Sequence, residues 1–228
     1  MSTRQDFEPT TVEDWKKSDV YHNSFLLGDD PVLEAAIKNS KDQGLPDIAV
    51  SPAQGKLLNL LVRTTGAKRV LEVGTLGGYS TIWLARAVPE GGHVTTLELD
   101  PHHAKVATEN LTNAGLADKV EVIVGPAGET IKKLEPNPHY DFAFIDADKP
   151  GNLLYFQEAK RLVRSGGAII VDNVCRNGRV ADPEYSDASV EGVRTLLKGI
   201  QGDKEVEATT IGTVGEKGYD GFLYAICK

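Results

Sequence analysis

Apolar positions along the chain fall into two kinds of run that alternate. Short blocks (Val70, Leu71 and Val73; His93–Leu97; Val120–Val124; Asp141–Ile145; Ala168–Val171) have the density of strands covered on both faces. Between them, apolar residues recur at helical spacing: Ile82, Trp83, Ala85 and Ala87; then Ala104, Ala107, Leu111 and Ala114; then Leu153, Phe156, Ala159 and Leu162; then Val190, Val193, Leu196, Leu197 and Ile200. Asp30-Pro31, Ser51-Pro52 and Asp100-Pro101 each offer a capping side chain followed by a proline suited to the first helical position. The first two start helices ahead of the first strand, with Val32, Leu33, Ala36 and Ile37 and then Leu57, Leu58, Leu61 and Val62 on their inner faces. Two last strands, near Ala208–Ile211 and Gly221–Ile226, have no helix between them and predict an antiparallel hairpin at one edge of the sheet. Residues 1–19 are polar and aperiodic, which predicts a flexible N-terminal arm ahead of a single α/β domain over 20–228.

The most informative stretch is Arg69-Val-Leu-Glu-Val-Gly-Thr-Leu-Gly-Gly-Tyr-Ser80, a strand, a glycine turn and the start of a helix. In open α/β sheets ligands lie beyond the carboxyl ends of the strands, and such a turn lets backbone approach them closely. A dinucleotide fingerprint needs a second glycine two residues after the first, and Leu76 stands there. Glu72, two residues before Gly74, suits a cationic ligand group better than a phosphate. S-adenosylmethionine (SAM), with its ammonium and sulfonium, is such a ligand. Glu98 closes the second strand, the usual place for a carboxylate that holds ribose hydroxyls.

Composition narrows the partners. The chain has 228 residues, 40% hydrophobic and 25% charged, with a formal net charge of −8, which disfavours a nucleic-acid or anionic-membrane surface. Two cysteines, Cys175 and Cys227, are too few for a disulfide framework or a zinc site. With no signal-like leader and no membrane-length apolar run, the expected location is cytoplasmic.

Two further strand ends carry acids: Asp146-Ala-Asp-Lys149 after the fourth strand and Asp172-Asn173 after the fifth. Asp146, Asp172 and the Asn173 carbonyl make an all-oxygen set suited to Mg²⁺, Mn²⁺ or Ca²⁺, with room for waters or substrate oxygens. The alternative is that the aspartates only cap the helices or loops after them. Lys149 is the candidate base, since a neighbouring cation lowers an amine's pKa; otherwise it pairs with Asp146 or Asp148.

Leu71-Glu-Val-Gly-Thr-Leu-Gly-Gly-Tyr-Ser80, Gly125-Pro-Ala127, Phe144-Ile-Asp-Ala-Asp-Lys149 and Asp172-Asn-Val174 together resemble the cation-dependent O-methyltransferases, the family of the caffeoyl-CoA and catechol O-methyltransferases, over roughly residues 20–228. The resemblance implies a Rossmann-like SAM-dependent methyltransferase fold, a seven-stranded mostly parallel sheet with one antiparallel strand and extra N-terminal helices, often as a homodimer. It implies SAM contacts from Val50, Glu72, Gly74, Thr75, Gly78, Ser80, Glu98, Ala127 and Asp148. It implies metal ligation by Asp146, Asp172 and Asn173, a base at Lys149 and an acceptor contact at Asn177. Arg176 stands where the plant enzymes have tryptophan, and 179–188 has no clear match to their acceptor-recognition segments. The implied reaction is methyl transfer to a hydroxyl of a small aromatic: a catechol, a flavonoid or a hydroxycinnamoyl thioester. A non-catalytic SAM-binding protein and a nicotinamide-dependent oxidoreductase are the rival readings.

Overall fold

Val70, Leu71 and Val73 have no exposed surface, because strand β1 (Arg69–Val73) is covered on both faces and flanked by parallel neighbours on both sides. The computed structural model describes residues 9–228. The other strands are β2 (His93–Glu98), β3 (Val120–Val124), β4 (Tyr140–Ile145), β5 (Val163–Val171), β6 (Val206–Gly215) and β7 (Gly218–Cys227). They form one seven-stranded sheet in the order β3-β2-β1-β4-β5-β7-β6. β1 to β5 pair in parallel; β7 runs antiparallel to both β5 and β6. The expected hairpin is present, with its second strand on the inside. The strand order reverses between β1 and β4, and that switch is where an open sheet leaves a crevice for a ligand.

The helices are α1 (Val12–Leu26), α2 (Pro31–Asp42), α3 (Pro52–Thr64), α4 (Tyr79–Ala87), α5 (Pro101–Asn113), α6 (Ala127–Lys133), α7 (Asn152–Leu162) and α8 (Ala188–Ile200). Alternation along the strands sends their side chains into two cores. Val70, Phe142, Phe144 and Ile170 pack with Leu33, Leu58, Val62, Ile82 and Leu111 from α2 to α5. Leu71, Val73, Ile145 and Val171 pack with Ile131, Phe156, Leu162, Val193 and Leu196 from α6 to α8. Each fully buried leucine or phenylalanine contributes about 1.5–3 kcal/mol, so these two layers outweigh any single cap. The three predicted caps are nevertheless made: Asp30 accepts from the Leu33 N–H, Ser51 from Gln54 and Asp100 from His102.

The predicted N-terminal arm is corrected beyond its first residues. Residues 1–8 lie outside the described ones, but Val12–Leu26 is helical. Thr11 and Asp14 cap it reciprocally, the Thr11 N–H donating to Asp14 at 2.9 Å. No residue of α1 is buried, so its apolar side chains never sort onto one face, and periodicity misses it. The helix after the glycine turn begins at Tyr79, and β5 starts at Val163, ahead of the expected Ala168–Val171 block.

Candidate active site

The carboxyl ends of β1, β2, β4 and β5 open into one cavity of about 1050 Å³. Its donor side is the turn after β1. Gly74 has φ +102, and a Cβ there would lie 2.2 Å from the Asp146 carbonyl oxygen, so only glycine allows this turn to lie against the end of β4. Glu98 accepts the Thr75 and Leu76 N–H groups at 3.1 and 2.8 Å and the Asp100 N–H at 2.9 Å. The amides that cradle a pyrophosphate in dinucleotide enzymes are therefore already bound to a carboxylate. This argues for a donor without phosphate.

Glu72 does not reach the cavity. Its carboxyl is wholly buried and accepts from Ser80 at 2.6 Å, Thr81 at 2.5 Å and Thr96 at 2.7 Å. Burial raises its pKa from 4.5 to about 7 against the pull of those three hydroxyls. Glu72 ties the start of α4 to β1 and β2 and so shapes the turn from behind.

Beyond the end of β4, Lys149 Nζ donates to Asp146 Oδ1 at 2.9 Å, and Lys149 is only 7% exposed. The pairing expected of a surface lysine is made, but in a buried place. Asp172, at the end of the neighbouring strand, accepts from Gln54 Nε2 at 2.7 Å and from the Asn173 N–H at 2.8 Å. Its pKa is raised, first by burial and then by the negative charge of Asp146, with Lys149 opposing. The two carboxylates are thus close enough to repel, and the Lys149 ammonium is paired to Asp146. Asp148 accepts from the Tyr155 hydroxyl at 2.5 Å and from the Gly151 N–H, which fixes its place at the cavity edge. Among the described residues no group of three or more His, Cys, Asp or Glu side chains is placed to hold a metal; the predicted donor set has two such carboxylates and an amide.

A sequence model of the O-methyltransferase family matches residues 23–220. The chain belongs to the O-methyltransferase family. It is 50% identical over 210 residues to a catechol O-methyltransferase of Mycobacterium tuberculosis, covering 92% of this chain and 94% of that one. A catechol O-methyltransferase of Niastella koreensis is 45% identical over 211 residues, covering 91% and 96%. Among solved structures, the O-methyltransferase from Bacillus cereus in complex with SAH superposes with a TM-score of 0.92 at 45% identity, covering 96% of this chain and all of that one. The seven-stranded sheet with β7 reversed is the Rossmann-like methyltransferase fold.

Within this O-methyltransferase, Val50, Gly74, Thr75, Ser80, Glu98, Ala127, Asp146, Asp148, Lys149, Asn173 and Asn177 all line the one cavity. Glu72, Gly78 and Asp172 do not. Gly78, at φ +79, begins α4 and packs against Ala107. Asp172 is 4% exposed and closed off by Gln54. Gln54, Tyr155 and Arg179 belong to the site without having been singled out; Gln54 is 118 residues from its partner, so nothing local marks it.

The raised pKa of Glu72 has a measurable result. Between about 4.5 and about 7 the native state keeps a proton that the unfolded chain has lost, so stability falls as pH rises through that window, by about 3 kcal/mol. Glu72→Gln removes this term. Urea unfolding should show the variant gaining stability relative to the parent from about pH 4 to about pH 8. A constant difference across that range would mean that Glu72 titrates normally.

Proposed function

We propose that this chain transfers the methyl group of SAM to a hydroxyl of a catechol-like small aromatic, with Mg²⁺ or another divalent cation bound. One observation carries the reading: a turn whose amides are taken by Glu98 opens into the same cavity as the Asp146–Lys149 pair. The catechol O-methyltransferase relatives and the SAH bound to the Bacillus cereus enzyme support it.

The Gly74–Leu76 turn, Val50, Ser80, Glu98, Ala127 and Asp148 bind the donor, and acidic groups near its cationic end favour a sulfonium. Asp146, Asp172 and the Asn173 amide oxygen would hold the cation. The donor chemistry fits: all three are hard oxygens, and two mutually repelling carboxylates gain from a shared divalent charge. When bound, such a cation lowers the pKa of a coordinated phenol, about 10 when free. Lys149 Nζ, once its own proton has passed to solvent, is the amine placed to receive the hydroxyl proton, and Asp146, 2.9 Å away, stabilises the ammonium that forms again. Asn177 contacts the acceptor ring. Holding the two substrates in line supplies much of the acceleration.

The proposal extends to a cytoplasmic homodimer without nucleic-acid or membrane partners. No helix among the described residues is long and apolar enough to cross a membrane. Tyr21, Phe25 and Leu26, each more than half exposed on α1, offer an apolar surface to a second copy.

Methyl transfer from labelled SAM to catechol, with Mg²⁺ and again with excess chelator, tests the reading. The expected result is a methyl ether formed only with the cation. Undiminished turnover in chelator would overturn the metal assignment, and SAM binding without transfer to any catechol would favour the non-catalytic alternative.

A further inference from the structure

Beyond the reacting end, the cavity wall is formed by the 175–182 segment after β5. Arg176, Asn177 and Gly178 there have φ values of 51, 56 and 79, three left-handed residues in succession, two of them not glycine. Such backbone persists only where its surroundings enforce it. Asp220, at the start of β7, does so from one side by accepting the Cys175, Arg176 and Gly221 N–H groups at 3.0, 2.8 and 3.0 Å. Arg194 of α8 does so from the other, donating to the carbonyls of Arg179, Val180 and Asp182.

What this pinned segment presents to the cavity is positive charge. Arg176 and Arg179 both line it, in a chain whose net charge is −8. Asp187 and Asp220 line the cavity beside them; the Val190 N–H lowers the pKa of Asp187, and Arg176 is near enough for its charge to help, although no salt bridge joins the two. Asp220 is taken up by three backbone amides, and Asp187 caps α8 through the Val190 N–H while accepting from Tyr185. Arg179 stacks on Tyr185, 4.8 Å from its ring centre, which orients a planar guanidinium without neutralising it. Among the described residues neither arginine forms a salt bridge, and Arg176 is half-buried.

We infer that Arg176, seconded by Arg179, is a specificity-determining subsite for a carboxylate on the acceptor: this enzyme selects catechols that carry an acidic substituent. The inference rests on the O-methyltransferase reading above and adds the acceptor's charge to it. A guanidinium is the group best shaped to hold a carboxylate by two parallel hydrogen bonds, and a partly buried setting limits screening by salt.

The test compares protocatechuate with its methyl ester, two catechols that differ in the charge and not in the diol, and adds dopamine as a cationic third. The parent should prefer protocatechuate to the ester by about tenfold to a hundredfold in kcat/KM, chiefly through KM, as a charge-assisted hydrogen bond predicts, with dopamine last. Arg176→Met should bring the ratio of acid to ester close to one, and Arg176→Lys should keep part of it. Because a ratio on one preparation is read, partial loss of folded protein does not disturb it. Equal use of acid and ester by the parent, or a preference that survives in the Arg176→Met, Arg179→Met double variant, overturns the inference alone. Failure to methylate any of the three, with SAM bound, overturns the O-methyltransferase reading on this class of acceptor and the inference with it.

Discussion

Asp172→Asn is expected to lower methyl transfer by about a thousandfold and yet to raise the unfolding temperature in chelator. The two effects share one cause. Asp172 is buried beside Asp146, each destabilising the other's charge, with Lys149 paired to only one of them. Asparagine keeps the acceptor for the Asn173 N–H, and Gln54 can turn its amide to present oxygen instead of nitrogen. Removing the charge therefore costs no hydrogen bond and relieves both desolvation and repulsion, for a gain of about 1–2 kcal/mol, or a few degrees in a protein of this size. Because burial raises the pKa of Asp172, the parent recovers stability as it takes up that proton, so the advantage of the variant shrinks on acidification. Calorimetry in chelator at two pH values, beside a turnover assay with Mg²⁺, checks this. A variant that loses stability would show that the carboxylates are not in conflict, and one that keeps its turnover would remove Asp172 from the site.

Gly74→Ala is expected to damage both the fold and the donor site. The added methyl would meet the carbonyl oxygen of Asp146 at 2.2 Å and its carbon at 2.8 Å. Neither side can retreat, since the Asp146 N–H is bound to the Val73 carbonyl and the Gly74 N–H to the Leu97 carbonyl. With the left-handed φ added, the cost should reach about 3 kcal/mol or more, lowering the melting temperature by at least about 6 °C. The turn would move away from β4, and calorimetric titration should find SAM affinity lowered about tenfold for every 1.4 kcal/mol by which the displaced turn weakens its hold on the donor. Gly78→Ala is the control: also left-handed, but with the Ala107 methyl at 3.3 Å as its nearest neighbour rather than a carbonyl oxygen at 2.2 Å, it should cost only about 1–2 kcal/mol. Equal effects at the two glycines would refute the argument from close approach.

The sheet was legible because a strand covered on both faces must be apolar throughout, as Val70, Leu71 and Val73 are, while Asp-Pro and Ser-Pro pairs marked helix starts that prove to be real caps. The elements that escaped lacked such a contrast. α1 buries nothing, α6 buries only Ile131, and Gly166 and Gly167 within β5 have the composition of a turn. In the site, Asp146 and Asp148, which follow the end of β4, line the cavity because an open sheet leaves its crevice beyond such ends. Glu72 was misplaced for the reverse reason. It lies within β1, where its side chain points to the face that α4 covers rather than along the strand axis, and nearness in sequence to Gly74 says nothing of that. Gln54 and Arg194 act through neighbours remote in the chain, which no local pattern reveals.

The reversed strand β7 ties the far edge of the sheet to the wall of the cavity. The residues proposed to hold the donor run from Val50 to Asp148, whereas the loop bearing Arg176 is clamped by Asp220 of β7. Because β7 also lies between β5 and β6 and buries Leu223 and Ala225 in the core, the clamp on that loop and the integrity of the sheet depend on the same strand.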